Sequence, residues 1–319
     1  MNFYASAAFL DVAAAVHFAG RSAVIEPVRI GGDVLRLLVI DGRQIVTELP
    51  FLDFHQPLAP AETDGPVRQG KYARTVARGV IEANAWAPSA FPHFGLAPYV
   101  DWSQFASFAS YRDWLLTRHR SLLRDRERRW RQLAAAHGDI VFTANDPGDD
   151  VLAAARGWKS RQLLFSGHDN WIERPECLGF LEALRARGLL VSSTVRAGGR
   201  LVSVWLGFIH DGVWSGWVFA YDPAFHKYSA GHLLVMRMLE ESFARGHREF
   251  DFSEGAEDYK LLYATHGRLL GEIGRPSLHR AVVLFAKHAA QRAGLLPAVQ
   301  AIKRQLAAAW MRHPAAEQS

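Results

Sequence analysis

Two short runs gather most of the residues that could do chemistry. The first is Tyr221-Asp222-Pro223-Ala224-Phe225-His226-Lys227-Tyr228-Ser229-Ala230-Gly231-His232, which leaves a strand and turns through small and polar residues into a helix beginning near Gly231. Backbone N–H groups exposed at a helix start, aided by the helix dipole, make a place for a pyrophosphate. Gly231 would let that phosphate approach the backbone closely. The plain alternative is a strand-to-helix loop with Ser229 as N-cap. The second run is Glu249-Phe250-Asp251-Phe252-Ser253-Glu254-Gly255-Ala256-Glu257-Asp258-Tyr259-Lys260. Strand alternation puts Phe250 and Phe252 on one face and Asp251 on the other, and Glu254-Gly255 then turns the chain into a short helix carrying Tyr259 and Lys260. Taken singly, these polar groups are surface charges or caps. Gathered beside a phosphate-binding loop, carboxylates, a phenol and an amine make an acid-base site.

The elements that must position these runs are legible from residue 139 onward. The pattern predicts a strand at 139–144, a helix capped by Asp149 or Asp150 and running to about Phe165, and a helix at 175–187 closed by Gly188. Strands at 189–195, 201–210 and 213–221 follow, joined by a Gly198-Gly199 turn and an Asp211-Gly212 turn. A helix at 231–244 ended by Gly246, a strand at 249–252 and a short helix around 258–264 complete an α+β arrangement. The first hundred residues offer one clear hairpin, 34–40 and 44–51 around Asp41-Gly42, before a stretch at 57–98 rich in Pro, Gly and aromatics. Residues 54–57 and 221–223 both follow a strand that comes after an Asp-Gly turn, an echo that admits a duplication.

Composition bounds the function. The chain has 319 residues, 49% hydrophobic and 22% charged, with a net charge of +5, which fits one large globular domain or two and excludes disorder and simple coiled coil. A single cysteine, Cys177, excludes a disulfide framework and Cys-based metal sites and points to a reducing, cytoplasmic compartment. No apolar run is long enough to span a bilayer. Residues 1–15 lack the basic start of a secretory signal and read as ordinary structure. There is no nucleophile elbow, Walker loop, dinucleotide fingerprint or zinc-protease motif, and the fourteen histidines are scattered, so no metal is expected.

Positive charge collects in two places. Residues 111–137 lack Gly and Pro and read as one long amphipathic helix, with Arg118, Arg120, Arg124, Arg126, Arg128, Arg129 and Arg131 relieved only by Asp125 and Glu127. Those arginines are a solvated face or a surface for a phosphate group. Residues 276–319 carry a net +5, and Leu295, Val299, Ile302, Leu306 and Trp310 share one helical stripe. That tail is a packed terminal helix or one lying on the inner membrane surface.

The run Y-D-P-A-F-H-K-Y-S-A-G-H-L-L, followed at helix length by R-G-H-R-E-F-D-F-S-E-G-A-E-D-Y-K, closely resembles the CelD-like, cellulose-biosynthesis-type branch of the GNAT acyltransferases. The resemblance covers roughly residues 111–260. It implies a GNAT fold for the second half and, as in the related Fem-type transferases, a degenerate GNAT-like unit before the long helix. The corresponding division is 1–110, a connecting helix at 111–138, an acyltransferase domain at 139–275 and a tail at 276–319.

What the resemblance implies is acyl transfer from coenzyme A to the amino group of a nucleotide- or lipid-linked sugar in polysaccharide biosynthesis. Tyr221, Asp222, Ser229, Gly231, Asp251, Gly255, Tyr259 and Lys260 match the family pattern. On this reading Glu254 is the expected base, with Asp222 second, Tyr259 protonates the departing thiolate and Lys260 lies near a phosphate. Tyr221, His226, Tyr228, Ser229, Gly231 and His232 form the donor site. The usual pyrophosphate motif survives only as His226-Lys227-Tyr228-Ser229-Ala230-Gly231. That departure leaves open a Fem-type aminoacyl-tRNA donor, or a non-catalytic binding module, as alternatives. Nucleic acid other than tRNA is not expected as a partner.

Overall fold

The computed structural model describes residues 2–63, 66–69, 76–82, 95–255 and 257–274. The basic tail at 276–319 lies outside the described residues. Ser6 accepts a hydrogen bond from the Phe9 amide and so caps α1 (Ala7–His17). Strands β1 (Ala23–Ile30), β2 (Asp33–Ile40) and β3 (Gln44–Val46) follow as an antiparallel meander, and β4 (Arg68–Gln69) lies parallel to β1. Then come β5 (Val76–Glu82), β6 (Gly95–Asp101) and α2 (Phe108–His137). The second half runs β7 (Ile140–Thr143), α3 (Asp149–Phe165), α4 (Pro175–Ala186), β8 (Val191–Ala197), β9 (Arg200–His210) and β10 (Val213–Tyr221). It closes with α5 (Ala230–Ala244), β11 (Glu249–Asp251), α6 (Asp258–Tyr263) and β12 (His266–Gly274).

Strands β3-β2-β1-β4 form a small sheet, and the rest form an eight-stranded sheet in the order β5-β12-β6-β11-β10-β9-β8-β7. The large sheet is covered on both faces. Phe9 and Leu10 of α1, Val151 and Leu163 of α3, and Phe180 and Leu184 of α4 pack on one side with Leu206, Phe208 and Val218. Tyr111 and Leu133 of α2 and Leu234 and Met238 of α5 pack on the other with Trp205, Trp214 and Phe250. Burying these side chains contributes about 1.5–3 kcal/mol each against chain entropy.

The echo between the halves extends from a turn to an order of elements. In each half a helix leads into a three-stranded antiparallel meander, α1-β1-β2-β3 and α4-β8-β9-β10, with an Asp-Gly turn between the second and third strands. Asp41 and Gly42 have φ of 50° and 67°, and Asp211 and Gly212 have 48° and 69°, the left-handed pair that matches strand twist.

Three boundaries differ from expectation. β8 runs two residues later than 189–195, up to the Gly198-Gly199 turn, where both glycines have positive φ. The strand expected over 44–51 stops at Val46, and Phe51 adopts φ 67° in the loop beyond it. Helix α2 begins at Phe108 and leaves helical geometry at His119. The Arg112 guanidinium there reaches Glu127 at 2.9 Å, although fifteen residues of straight helix would separate them by ~22 Å. The bend therefore folds α2 back toward itself. Just before it, the Thr117 hydroxyl donates to the Trp114 carbonyl at 2.7 Å, a back-bond of the kind that accompanies helix bending.

Candidate active site

The two sequence runs meet where β10 and β11 part. These neighbours are parallel and paired from Val213↔Glu249 to Ser215↔Asp251. Beyond that point β11 ends, while β10 continues to Tyr221. The register of β10 with β9 shifts between Gly216 and Val218, leaving Trp217 without a partner. That bulge sends Trp217 and Val218 to the same core. Gly216 is required here, because a Cβ would fall 2.3 Å from the Trp205 indole. The Trp205 Nε1–H beneath it is buried with no hydrogen-bond acceptor. Ser253, at φ 57°, closes the other side of the opening: its Oγ donates to the Gly216 carbonyl at 2.5 Å and its amide donates to Asp251 Oδ1 at 2.8 Å.

An acid cluster occupies the end of β11. Both Glu254 oxygens accept from the Arg78 guanidinium, Oε2 at 3.1 Å from Nε and Oε1 in a closer ion pair with Nη2. The Glu254 amide donates to Asp53 Oδ2 at 3.4 Å. Burial pushes the Asp53 carboxyl up to about 6; the Lys260 ammonium opposes that rise and the Glu254 carboxylate adds to it. Lys260 is itself buried and turned inward, donating to the Glu254 carbonyl at 2.5 Å and pairing with Glu257 at 3.2 Å. It braces the turn that carries Glu254. Asp251 is buried against Arg268 at 3.3 Å, and burial raises its carboxyl while that guanidinium opposes the rise.

Tyr259 lies among Trp205, Phe219 and His232, with ring centroids 6.1, 5.4 and 6.4 Å away. Burial holds its phenol well above the ordinary range, so it stays protonated. Asp222 is placed apart from this cluster. Its Oδ1 accepts from the Ala224 amide at 3.0 Å, and its Oδ2 pairs with Arg200 at 2.7 Å. Five residues of strand, Trp217 to Tyr221, separate it from Gly216, a distance of about 20 Å.

The other run forms the start of α5. Ser229 holds the N-cap position in the left-handed region, φ 56°, and its side chain makes no capping bond. The first-turn amides of Ala230, Gly231 and His232 therefore have no acceptor of the kind a cap supplies. Two cations lean over this turn from α2. Arg129 donates to the Lys227 carbonyl at 3.1 Å, and Trp130 donates to the Ser229 carbonyl at 3.3 Å beside it. Arg126 reaches the Tyr263 hydroxyl, which lies 3.2 Å from His232 Nδ1. Burial, with Arg126 nearby, lowers the His232 imidazole to about 3, so it is neutral.

The remaining residues of this loop divide by exposure. Tyr228 is buried and packs against His137 and Phe225, fastening the loop to the end of α2. His226 and Tyr221 are exposed and line a cavity of about 510 Å³ with Trp158, Arg161, Gln162, Phe165 and Pro223. At Gly231 packing by itself calls for glycine, since a Cβ there would sit 2.4 Å from Phe219 Cζ. Among the described residues no group of three or more His, Cys, Asp or Glu could hold a metal ion. Among the same residues no helix is long and apolar enough to cross a membrane.

Residues 118–261 match the sequence profile of the family described as Acetyltransferase (GNAT) domain. That span carries the GNAT-domain match, on an α+β fold. The parted parallel strands, bulged strand and bare helix start all fall inside the matched span. The search of curated proteins finds no match. Among solved structures the chain is similar to FemX, at 10% identity over 89% of this chain and 94% of that one, with a TM-score of 0.48. It is similar also to a tandem GNAT protein from the clavulanic acid biosynthesis pathway, at 12% identity over 85% and 95%, with a TM-score of 0.37. A conserved protein of unknown function from Bacteroides thetaiotaomicron shares 12% identity over 63% of this chain, which spans 62% of that one, with a TM-score of 0.35.

Sequence reasoning did not find Asp53, Arg78 or Tyr4. Arg78 and Tyr4 sit on strands and turns far away in sequence, and nothing local marks them. For Asp53 a faint signal existed, because it directly precedes the 54–57 segment that echoes 221–223.

Proposed function

We propose that the chain is an acyl-CoA-dependent N-acyltransferase, most simply an acetyltransferase. Its acceptor is the amino group of a nucleotide- or lipid-linked sugar in bacterial polysaccharide biosynthesis, met in the cytoplasm or at the inner membrane surface. The observation that carries this is the gap between β10 and β11, bounded at one end by bare helix amides and at the other by a carboxylate cluster. A pyrophosphate suits the start of α5, where the dipole and Arg126 and Arg129 all favour negative charge. Ser229, Gly231 and His232 would present amides to it, with His226, Tyr221 and Tyr228 shaping the loop around them.

The thioester would lie along the exposed edge of β10. An oxyanion developing on its carbonyl would be held by a backbone N–H of β10, the strand that the bulge at Trp217 shifts out of register. The amine enters from the side of Glu254, whose carboxylate, fixed by Arg78, draws the ammonium in. The neutral Tyr259 phenol relays a proton to the departing sulfur, and Lys260 holds the turn beneath. The exposed Arg120, Arg124, Arg128 and Arg131 favour the aminoacyl-tRNA alternative as a second reading, since a polyanion would use such a face.

Thermal unfolding in the presence of acetyl-CoA tests the proposal. A hundredfold excess over the dissociation constant should stabilise the chain by about 2.7 kcal/mol. No shift with acetyl-CoA or longer acyl-CoA donors, together with a shift on adding aminoacyl-tRNA, selects the second reading.

A further inference from the structure

Asp53 belongs to the N-terminal half yet reaches the end of β11. Contacts of three of its residues fix the loop there. The Phe51 ring packs 4.5 Å from the ring of Trp217, the bulge residue of β10, and stacks on Phe180 at 5.5 Å. Its left-handed φ of 67° costs energy in a non-glycine residue, and this packing holds it. Asp53 Oδ2 accepts from the Glu254 amide at 3.4 Å. Phe54 is fully buried 5.8 Å from Tyr4, whose hydroxyl lies 3.4 Å from Ser253 Oγ. The loop thus touches β10 and the turn that follows β11.

We infer that Asp53 is the group that takes the proton from the acceptor's ammonium, so that the N-terminal half completes the active site. The inference rests on the acyl-transfer reading. The other carboxylates nearby are occupied. Glu254 has both oxygens in the Arg78 fork, and Asp251 is buried against Arg268 and the Ser253 amide. Asp222 caps a turn and pairs with Arg200. The charged and titratable groups facing Asp53 are Tyr4 from the N-terminal turn, Glu254 and Asp251 from the β11 end, and Lys260 from α6. The Lys260 ammonium is engaged by the Glu254 carbonyl and the Glu257 carboxylate. Burial and the Glu254 charge hold Asp53 near 6, the range in which a carboxylate accepts a proton usefully at neutral pH.

The step balances without a further reactant. Asp53 takes one proton from the ammonium, and the freed nitrogen lone pair forms the C–N bond to the thioester carbon. Collapse of the tetrahedral adduct breaks the C–S bond with its electron pair on sulfur. The nitrogen's second proton ends on that sulfur, through Tyr259, and Asp53 returns its proton to water. The products are the amide, free coenzyme A and one proton.

The test is the pH dependence of acetyl transfer by the full chain, with acetyl-CoA binding followed separately by thermal shift. Wild type should show an acid limb of unit slope near pH 6. Asp53→Asn, which keeps an oxygen for the Glu254 amide, should lose the rate by ~100-fold or more at unchanged thermal shift. Asp53→Glu should recover part of the rate and keep an acid limb. Glu254→Gln should keep the limb but move it to lower pH, because a neighbouring negative charge is gone. Asp53→Asn retaining the wild-type rate within threefold, or the limb vanishing in Glu254→Gln instead, overturns the inference. A wild-type chain with no thermal shift overturns the acyl-transfer reading, and this inference falls with it.

Discussion

Gly231 and His232 begin the same helix turn and answer to different physics. Gly231 sits where Phe219 leaves no room, so Gly231→Ala should cost about 1–3 kcal/mol by overpacking. Pairing it with Phe219→Leu should return part of that loss; equal destabilisation in the double variant, measured by urea unfolding, would place the strain elsewhere. His232 reports on charge. Its imidazole titrates near 6.5 when unfolded but resists protonation to about 3 when folded. The unfolded state therefore binds the extra proton between those values. Stability from this group is complete above pH 6.5 and is lost as pH falls toward 3. His232→Gln should shrink the drop in unfolding free energy between pH 7 and pH 5 by about 1–2 kcal/mol. Identical drops in variant and wild type would contradict the burial of this imidazole.

Elements closed by local rules were legible in the sequence. The Asp-Gly and Gly-Gly turns, the helix ended by Gly246 and the alternation through β9 and β10 all depend on residues within one turn of each other. What stayed hidden depends on distant partners. β6 inserts between β11 and β12, pairing Val100 with Phe250 and Leu96 with Leu269, and its own short run, Gly95–Asp101, gives no sign of that placement. The bend in α2 was hidden too, since the run of residues through His119 carries no Gly or Pro to mark it. At the site, the two runs that meet across the gap were readable, whereas Asp53 and Arg78 were not, because the fold and not the spacing brings them to Glu254. That bent helix supplies a prediction of its own. Arg126 leans over the start of α5 through Tyr263, so Arg126→Gln should weaken acetyl-CoA binding roughly tenfold, with a smaller salt dependence than wild type. Equal affinities and equal salt slopes in calorimetry would remove α2 from the donor site.

At the scale of the whole molecule, the gap between β10 and β11 is bordered by residues from both halves of the chain. The second half supplies the strands that part, the bare helix start and Tyr259. The first supplies Asp53, Arg78 and Tyr4, and its β5 and β6 extend the same sheet on the far side of β11. Acceptor and donor would then meet from opposite faces, one guided by acid groups and the other by α2 arginines and helix amides. The measurement that bears most directly on this account is acceptor-dependent release of thiol from acetyl-CoA, with the product weighed by mass spectrometry. A panel of amino-sugar nucleotides should yield thiol release with at least one member and a product heavier by a single acetyl group on nitrogen. Thiol release that ignores every acceptor, or none from a protein that binds acetyl-CoA, would contradict the claim that this gap performs N-acyl transfer to a sugar.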